Sequence, residues 1–213
     1  MKSTVTKDVI IEKADFLFRT NGYDETGMRD IAKMCGISVS NVQYYFPKKS
    51  MIMAAAYNLT LNNYFEAQMQ DVQDSIKPIV KIIAAEYEFM ICALSNEATC
   101  KSYLTSLSLS ETCTVYADKS TELFWAERVF KDVSKSQIYN ANLIMFGGLN
   151  QLIRFYYSHT SEYVFDEIVK PVFQARLLLL GINEPDSIIK EAFQYGKKLA
   201  KKKNKIKEEF LYD

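Results

Sequence analysis

The chain has 213 residues, 48% of them apolar and 24% charged, with a formal net charge of zero. That is enough chain for a substantial core, and the neutral balance excludes a generally basic nucleic-acid coat. Four cysteines (Cys35, Cys92, Cys100, Cys113) without a CxxC pair, and the one histidine His159, exclude a zinc site of the usual spacing.

The charge is unevenly spread. Residues 1–49 carry eight Lys/Arg against six Asp/Glu, residues 197–213 carry seven Lys against three acids, and the middle is net acidic. A weakly basic head on an acidic body suits a protein that meets DNA at one end. The N-terminus lacks a charged-then-apolar leader pattern, and no apolar run approaches bilayer length. A cytoplasmic chain with reduced thiols is therefore expected. Seven glycines, four prolines and no alternating strand pattern predict an all-α fold.

Thr6 is placed to cap a first helix reaching about Asn21, whose apolar face is Ile10, Ala14, Leu17 and Phe18. Gly22 ends it, and Tyr23 packs back. Thr26 is expected to cap a second helix that opens its apolar face at Ile31-Ala32 and runs to Met34. Gly36 permits a tight turn, Ser38 caps a third helix, and Val42 and Phe46 give that helix its buried stripe. Three short helices at this spacing form a helix-turn-helix head, with Val39, Ser40, Asn41 and Gln43 turned outward where a major groove accommodates them. Pro47 opens a long helix to about Gln70, with apolar positions including Met51, Ala55, Leu59 and Phe65.

After a polar break at Asp71–Ser75, Pro78 starts a helix to about Leu94, and further helices are expected over 97–109, 111–133, 135–158, 162–181 and 184–207. Pro171 should kink or restart the one containing it. Junctions this short imply antiparallel neighbours. The expected organisation is a head over 1–49 and a helical effector-binding and dimerisation body over 50–213. For dimerisation the candidates are 138–157, where Gly147-Gly148 allows close approach, and 164–180, where Leu177–Leu180 is apolar on all sides.

The ordered set Thr6-Lys7, Ile10-Ile11, Ala14, Leu17-Phe18, Gly22-Tyr23, Asp30-Ile31-Ala32, Gly36-Ile37-Ser38, Tyr45-Phe46, Lys49 and Ile52 resembles the TetR family of bacterial transcriptional regulators. The resemblance covers about the first quarter of the chain. It implies that Arg29, Val39, Ser40, Gln43 and Tyr44 face base edges, and that Thr26, Asn41, Tyr45 and Lys49 face phosphates. There are departures. The family commonly has Gly where Ser40 stands, Leu-Tyr where Val42-Gln43 stands, and an acid where Ser50 stands. A glutamine at 43 can still read adenine in bidentate fashion.

The body is rich in aromatic and methionine side chains. Tyr87, Met90, Tyr103, Tyr116, Trp125 and Phe146 are candidate cavity-lining residues, with Arg128, Arg154 and Glu86 as candidate orienting charges. The expectation is a homodimeric repressor released from a pseudo-palindromic operator by an apolar or aromatic molecule. Its two recognition helices would stand about 34–36 Å apart. No cofactor, metal or membrane partner is implied. The alternatives are a helical small-molecule binder whose helix-turn-helix is structural only, and a bundle enzyme. The enzyme is disfavoured because the chain offers no Cys-His or Ser-His pairing that avoids His159, no metal cluster and no glycine-rich phosphate loop.

Overall fold

Caps written into the sequence set the first helices. In the computed structural model, which describes residues 6–71, 76–95, 97–127, 129–130, 132–159 and 163–202, the Thr6 side chain accepts a hydrogen bond from the Val9 amide and starts α1 (Lys7–Asn21). The second helix, α2 (Met28–Cys35), is capped by Gly27 and not by Thr26, and Asp30 Oδ2 accepts from the Gly27 amide at 2.8 Å. Gly36 closes α2 at φ +67°, a left-handed conformation that disfavours any residue with a Cβ. Ser38 then accepts from the Asn41 amide at the head of α3 (Val39–Tyr45).

Seven further helices follow: α4 (Lys49–Asp71), α5 (Pro78–Ser95), α6 (Glu97–Leu107), α7 (Ser110–Ala126), α8 (Lys135–Ser158), α9 (Phe165–Leu179) and α10 (Asp186–Lys202). No strand occurs among the described residues. The helix expected over 111–133 ends earlier, at Ala126, where the Glu127 amide returns to Leu123 O. A new helix starts at Ser134, through a Ser-x-x-Gln capping box with Gln137. The last helix starts at Asp186, and the expected stretch to 207 lies partly outside the described residues. Pro171 neither breaks nor restarts α9, which runs through it as one helix.

The apolar residues sort into two cores. Ile10, Ala14, Phe18, Ile31, Val42 and Phe46 pack with Ile52, Met53 and Ala56 from the start of α4. Tyr57, Leu61 and Phe65, further along α4, belong to the body core instead. The stripe expected on α4 is therefore rotated: Phe65 is buried, but Met51 and Leu59 are exposed. In the body, α5 is buried almost all round, as its continuous apolar run requires, and packs against α4, α6, α7 and α10.

The residues expected to dimerise are only partly used within one chain. Leu177 and Leu180 are buried, whereas Leu178, Leu179, Leu143 and Ile144 are exposed. Gly148 lets α8 and α9 approach, since a Cβ there would lie 3.0 Å from Val172 Cγ1, while Gly147 faces open space.

A fully buried ion pair crosses the body core. Arg176 on α9 donates from both terminal nitrogens to Glu86 on α5, at 3.0 and 2.6 Å. Ser120 donates to the same carboxylate at 2.6 Å, Asn142 Oδ1 accepts from Arg176 at 3.3 Å, and the guanidinium lies over Phe124 and Phe173. Removing one partner strands the other's charge in the core. Arg176→Met is expected to cost about 3–5 kcal/mol in chemical denaturation, and the double change Glu86→Leu with Arg176→Met to recover most of that. Equal instability of the single and the double variant would contradict this account.

Candidate functional site

The head presents a short outward face made by α3. With Val42 held in the core, Ser40, Asn41, Gln43 and Tyr44 are exposed. Tyr44 is 83% exposed, which no packing role explains for so large a ring. Its neighbour Tyr45 turns the other way and packs on the head core, with its ring edge-on to Tyr44 at 5.3 Å. Val39 is half-buried against the same core, and Arg29 is exposed on α2. The structure thus gathers Arg29, Ser40, Asn41, Gln43 and Tyr44 on accessible ground, with Val39 and Tyr45 at its margin.

Two residues expected at phosphates are turned inward. Thr26 is fully buried, and its hydroxyl donates to Gly22 O at 2.7 Å. Lys49, in the first turn of α4, donates to the carbonyls of Tyr23 and Thr26 at 2.7 and 2.9 Å and stands 4.1 Å from the Tyr23 ring centre. Two of its three donors are committed to those carbonyls. Lys49 is therefore first a pin that holds the α1–α2 loop against α4.

Beside this pin the head is clasped to the body. Ser50 Oγ donates to Glu111 Oε1 at 2.7 Å, joining the start of α4 to the start of α7. That hydrogen bond, with help from the backbone, Ser110 and Lys48, holds the Glu111 carboxyl below its ordinary pKa. A lowered folded pKa favours the clasp above the ordinary carboxylate range, and the benefit is lost as pH falls through the lowered value. Ser50→Ala should return the Glu111 titration, followed by NMR, toward its ordinary value; an unmoved titration would contradict the clasp.

A cavity of about 320 Å³ lies at the same junction. Its wall is built from Asp15 and Arg19 on α1, from Met53, Ala56, Tyr57, Thr60 and Tyr64 on α4, from Glu88, Phe89, Cys92 and Ala93 on α5, and from Thr99, Ser102, Tyr103 and Ser106 on α6. Phe89 sits among three tyrosines, edge-on to Tyr57, Tyr64 and Tyr103 at 6.0, 5.0 and 5.9 Å. The ion pair of Arg19 with Asp15, at 2.6 Å, puts the head's own helix in the wall. A mostly apolar concavity of this size, with four aromatic rings and several polar groups in its wall, is a small-molecule site in form.

Of the residues expected to line a ligand site, Tyr103 stands in the wall of this cavity. Tyr87 stacks on Phe193 and donates to Asp166, Met90 is in the body core, and Tyr116 stacks on Phe146 at 4.1 Å. Trp125 is exposed, and Arg154 is an exposed side chain that donates to Leu104 O. Glu86 is consumed by Arg176. Arg128 lies outside the described residues. The signal that could have found the wall is a hydroxyl-tipped stripe, Tyr57, Thr60 and Tyr64, at i, i+3 and i+7 on α4.

Comparison with known proteins agrees with this geometry. The family model described as bacterial regulatory proteins, tetR family, matches residues 10–56. Residues 10–56, the head and the first turns of α4, therefore match the helix-turn-helix domain of that family. Over 48 residues the chain is 44% identical to a probable HTH-type transcriptional regulator, YttP, of Bacillus subtilis (strain 168). That stretch is 22% of this chain and 23% of YttP, so the likeness spans about a quarter of that relative. Among solved structures, RolR in complex with resorcinol superposes with a TM-score of 0.61 at 14% identity, over 87% of this chain and 92% of RolR. A putative tetR family regulator from Shewanella sp. PV-4 matches at 15% identity and a TM-score of 0.46, over 83% of this chain and 97% of that one. The RolR likeness shows a shared fold that takes in the body as well as the head. Among the described residues no helix is long and apolar enough to cross a membrane, and no group of His, Cys, Asp or Glu could hold a metal ion.

Two substitutions separate reading from positioning. Gln43→Ala should cost about 1–3 kcal/mol at one base pair and little on random duplex. Lys49→Ala should weaken every duplex alike and raise hydrogen exchange of the amides over 22–28. Equal losses of sequence preference in both variants would contradict that division.

Proposed function

We propose that the chain is a ligand-responsive, homodimeric transcriptional repressor that leaves a pseudo-palindromic operator when an apolar or aromatic molecule occupies the junction cavity. One observation carries the ligand response: the cavity wall is shared between α1 of the head and α4, α5 and α6 of the body. A molecule seated there touches both parts. It shifts the head only as far as its affinity differs between the two head positions, and about 1–3 kcal/mol of coupling suffices.

DNA is read by Arg29, Ser40, Gln43 and Tyr44 at base edges, with Val39 against a thymine methyl. Asn41 and Tyr45 face phosphates, and Lys49 supports them through the loop it pins. The second copy covers the apolar face of α8 and α9 that carries Ile144, Leu178 and Leu179, all exposed in one chain. RolR, of the same fold, holds resorcinol. That makes resorcinol the first compound to try.

The test is fluorescence anisotropy against duplexes selected from a random pool, repeated over a salt series. A selected duplex should bind with a steep salt dependence and be released by the effector. Absence of any salt-sensitive complex would instead favour a helical binder whose helix-turn-helix is only structural.

A further inference from the structure

Three tyrosines of the body core, Tyr57, Tyr103 and Tyr116, bury their hydroxyls. The rings of Tyr57 and Tyr103 form part of the cavity wall, yet both hydroxyls are shut off from solvent and have no protein hydrogen-bond partner. The hydroxyl of Tyr116, on α7, is in the same condition. They are close enough to influence one another's ionisation. Burial raises the pKa of all three, Tyr103 raises that of Tyr57 further, and Glu86, Tyr57 and Tyr103 raise that of Tyr116. All three therefore stay protonated and able to donate. A buried hydroxyl without a partner destabilises a fold, and natural structures hold few of them. Such concentrations of unmet polar groups mark sites where stability yields to function.

The charges of the wall narrow what can meet those donors. Arg19, the one cationic side chain among the described residues of the wall, is already neutralised by Asp15 at 2.6 Å, so no cation in the wall is left to balance an anion. An ammonium would offer the phenol protons no acceptor. A carbonyl oxygen has two lone pairs, and the two wall tyrosines supply two donors.

We propose that the cavity takes an uncharged aromatic molecule whose carbonyl or hydroxyl oxygen enters between the rings of Tyr57 and Tyr103 and accepts hydrogen bonds from their hydroxyls. This rests on the reading of the cavity as the effector site. The hydroxyls lie beyond solvent reach, so the two rings part as the oxygen enters, an induced fit at the inner end of the cavity.

The experiment uses the full chain without DNA and four probes at millimolar concentration: acetophenone, resorcinol, benzoate and benzylammonium. Binding is read by saturation-transfer NMR and by thermal shift. Acetophenone or resorcinol should bind at least about fivefold tighter than either charged probe. Tyr57→Phe and Tyr103→Phe should each weaken that binding by about fivefold, the worth of one net hydrogen bond. The Tm of each unliganded variant should hold, or rise by up to about 2–4 °C, because the change removes a polar group and leaves the ring. Preference for a charged probe, failure of all four to bind, or unchanged binding in either variant would overturn the proposal. So would a fall in Tm on loss of a hydroxyl, which would mark it as structural. If a probe that binds here fails to release the selected duplex in the anisotropy assay, that counts against the effector reading and leaves the ligand chemistry standing.

Discussion

One helix has to satisfy two cores at once. The first turns of α4 supply Ile52, Met53 and Ala56 to the head, and the next turns supply Tyr57, Leu61 and Phe65 to the body. A helix is stiff over that distance, so its tilt cannot change for one core without changing for the other. The cavity sits where the change-over occurs, with Met53, Ala56, Tyr57, Thr60 and Tyr64 all in its wall. The position of the head therefore depends on what fills the space beside α4.

The start of α4 is fixed by polar contacts. Lys49 holds the α1–α2 loop through two carbonyls, and Ser50 reaches Glu111 on α7. TetR-like sequences commonly carry an acid where Ser50 stands. Here a serine stands at that position and takes its carboxylate partner, Glu111, from α7 of the body. These contacts are strong enough to set an orientation but few enough to be rearranged by 1–3 kcal/mol, roughly the scale of an allosteric coupling. The Glu86–Arg176 pair is of another kind. It is buried at 0% exposure in both partners and tethers α9, half of the proposed dimer face, to α5.

How much of this was legible in the sequence follows from the range of the interactions. Caps, turn glycines and the apolar stripes of α1 to α3 act over three or four residues, so Thr6, Gly36, Ser38 and Val42 could be read directly. Thr26 and Lys49 could not. Their side chains are claimed by carbonyls that only the folded loop brings near, up to 26 residues away. The cavity was legible in kind but not in place. Size and aromaticity pointed to Tyr87, Tyr116 and Phe146, which bury their rings against partners in the core. The wall instead joins Asp15 and Arg19 to residues 88–93 and 99–106, a pairing set by tertiary packing alone. Glu86 looked like a ligand-orienting charge because its partner is 90 residues away.

The most direct test of the shared-cavity account fills the space without any ligand. Ala93 lines the cavity from α5, and Ala93→Phe places a ring where an effector would sit. Anisotropy against a duplex selected by the wild-type chain should show at least about a fivefold loss of affinity, equal to about 1 kcal/mol of coupling, with the Tm of the variant maintained. Operator affinity equal to wild type, in a variant that no longer binds small aromatic probes, would contradict the account.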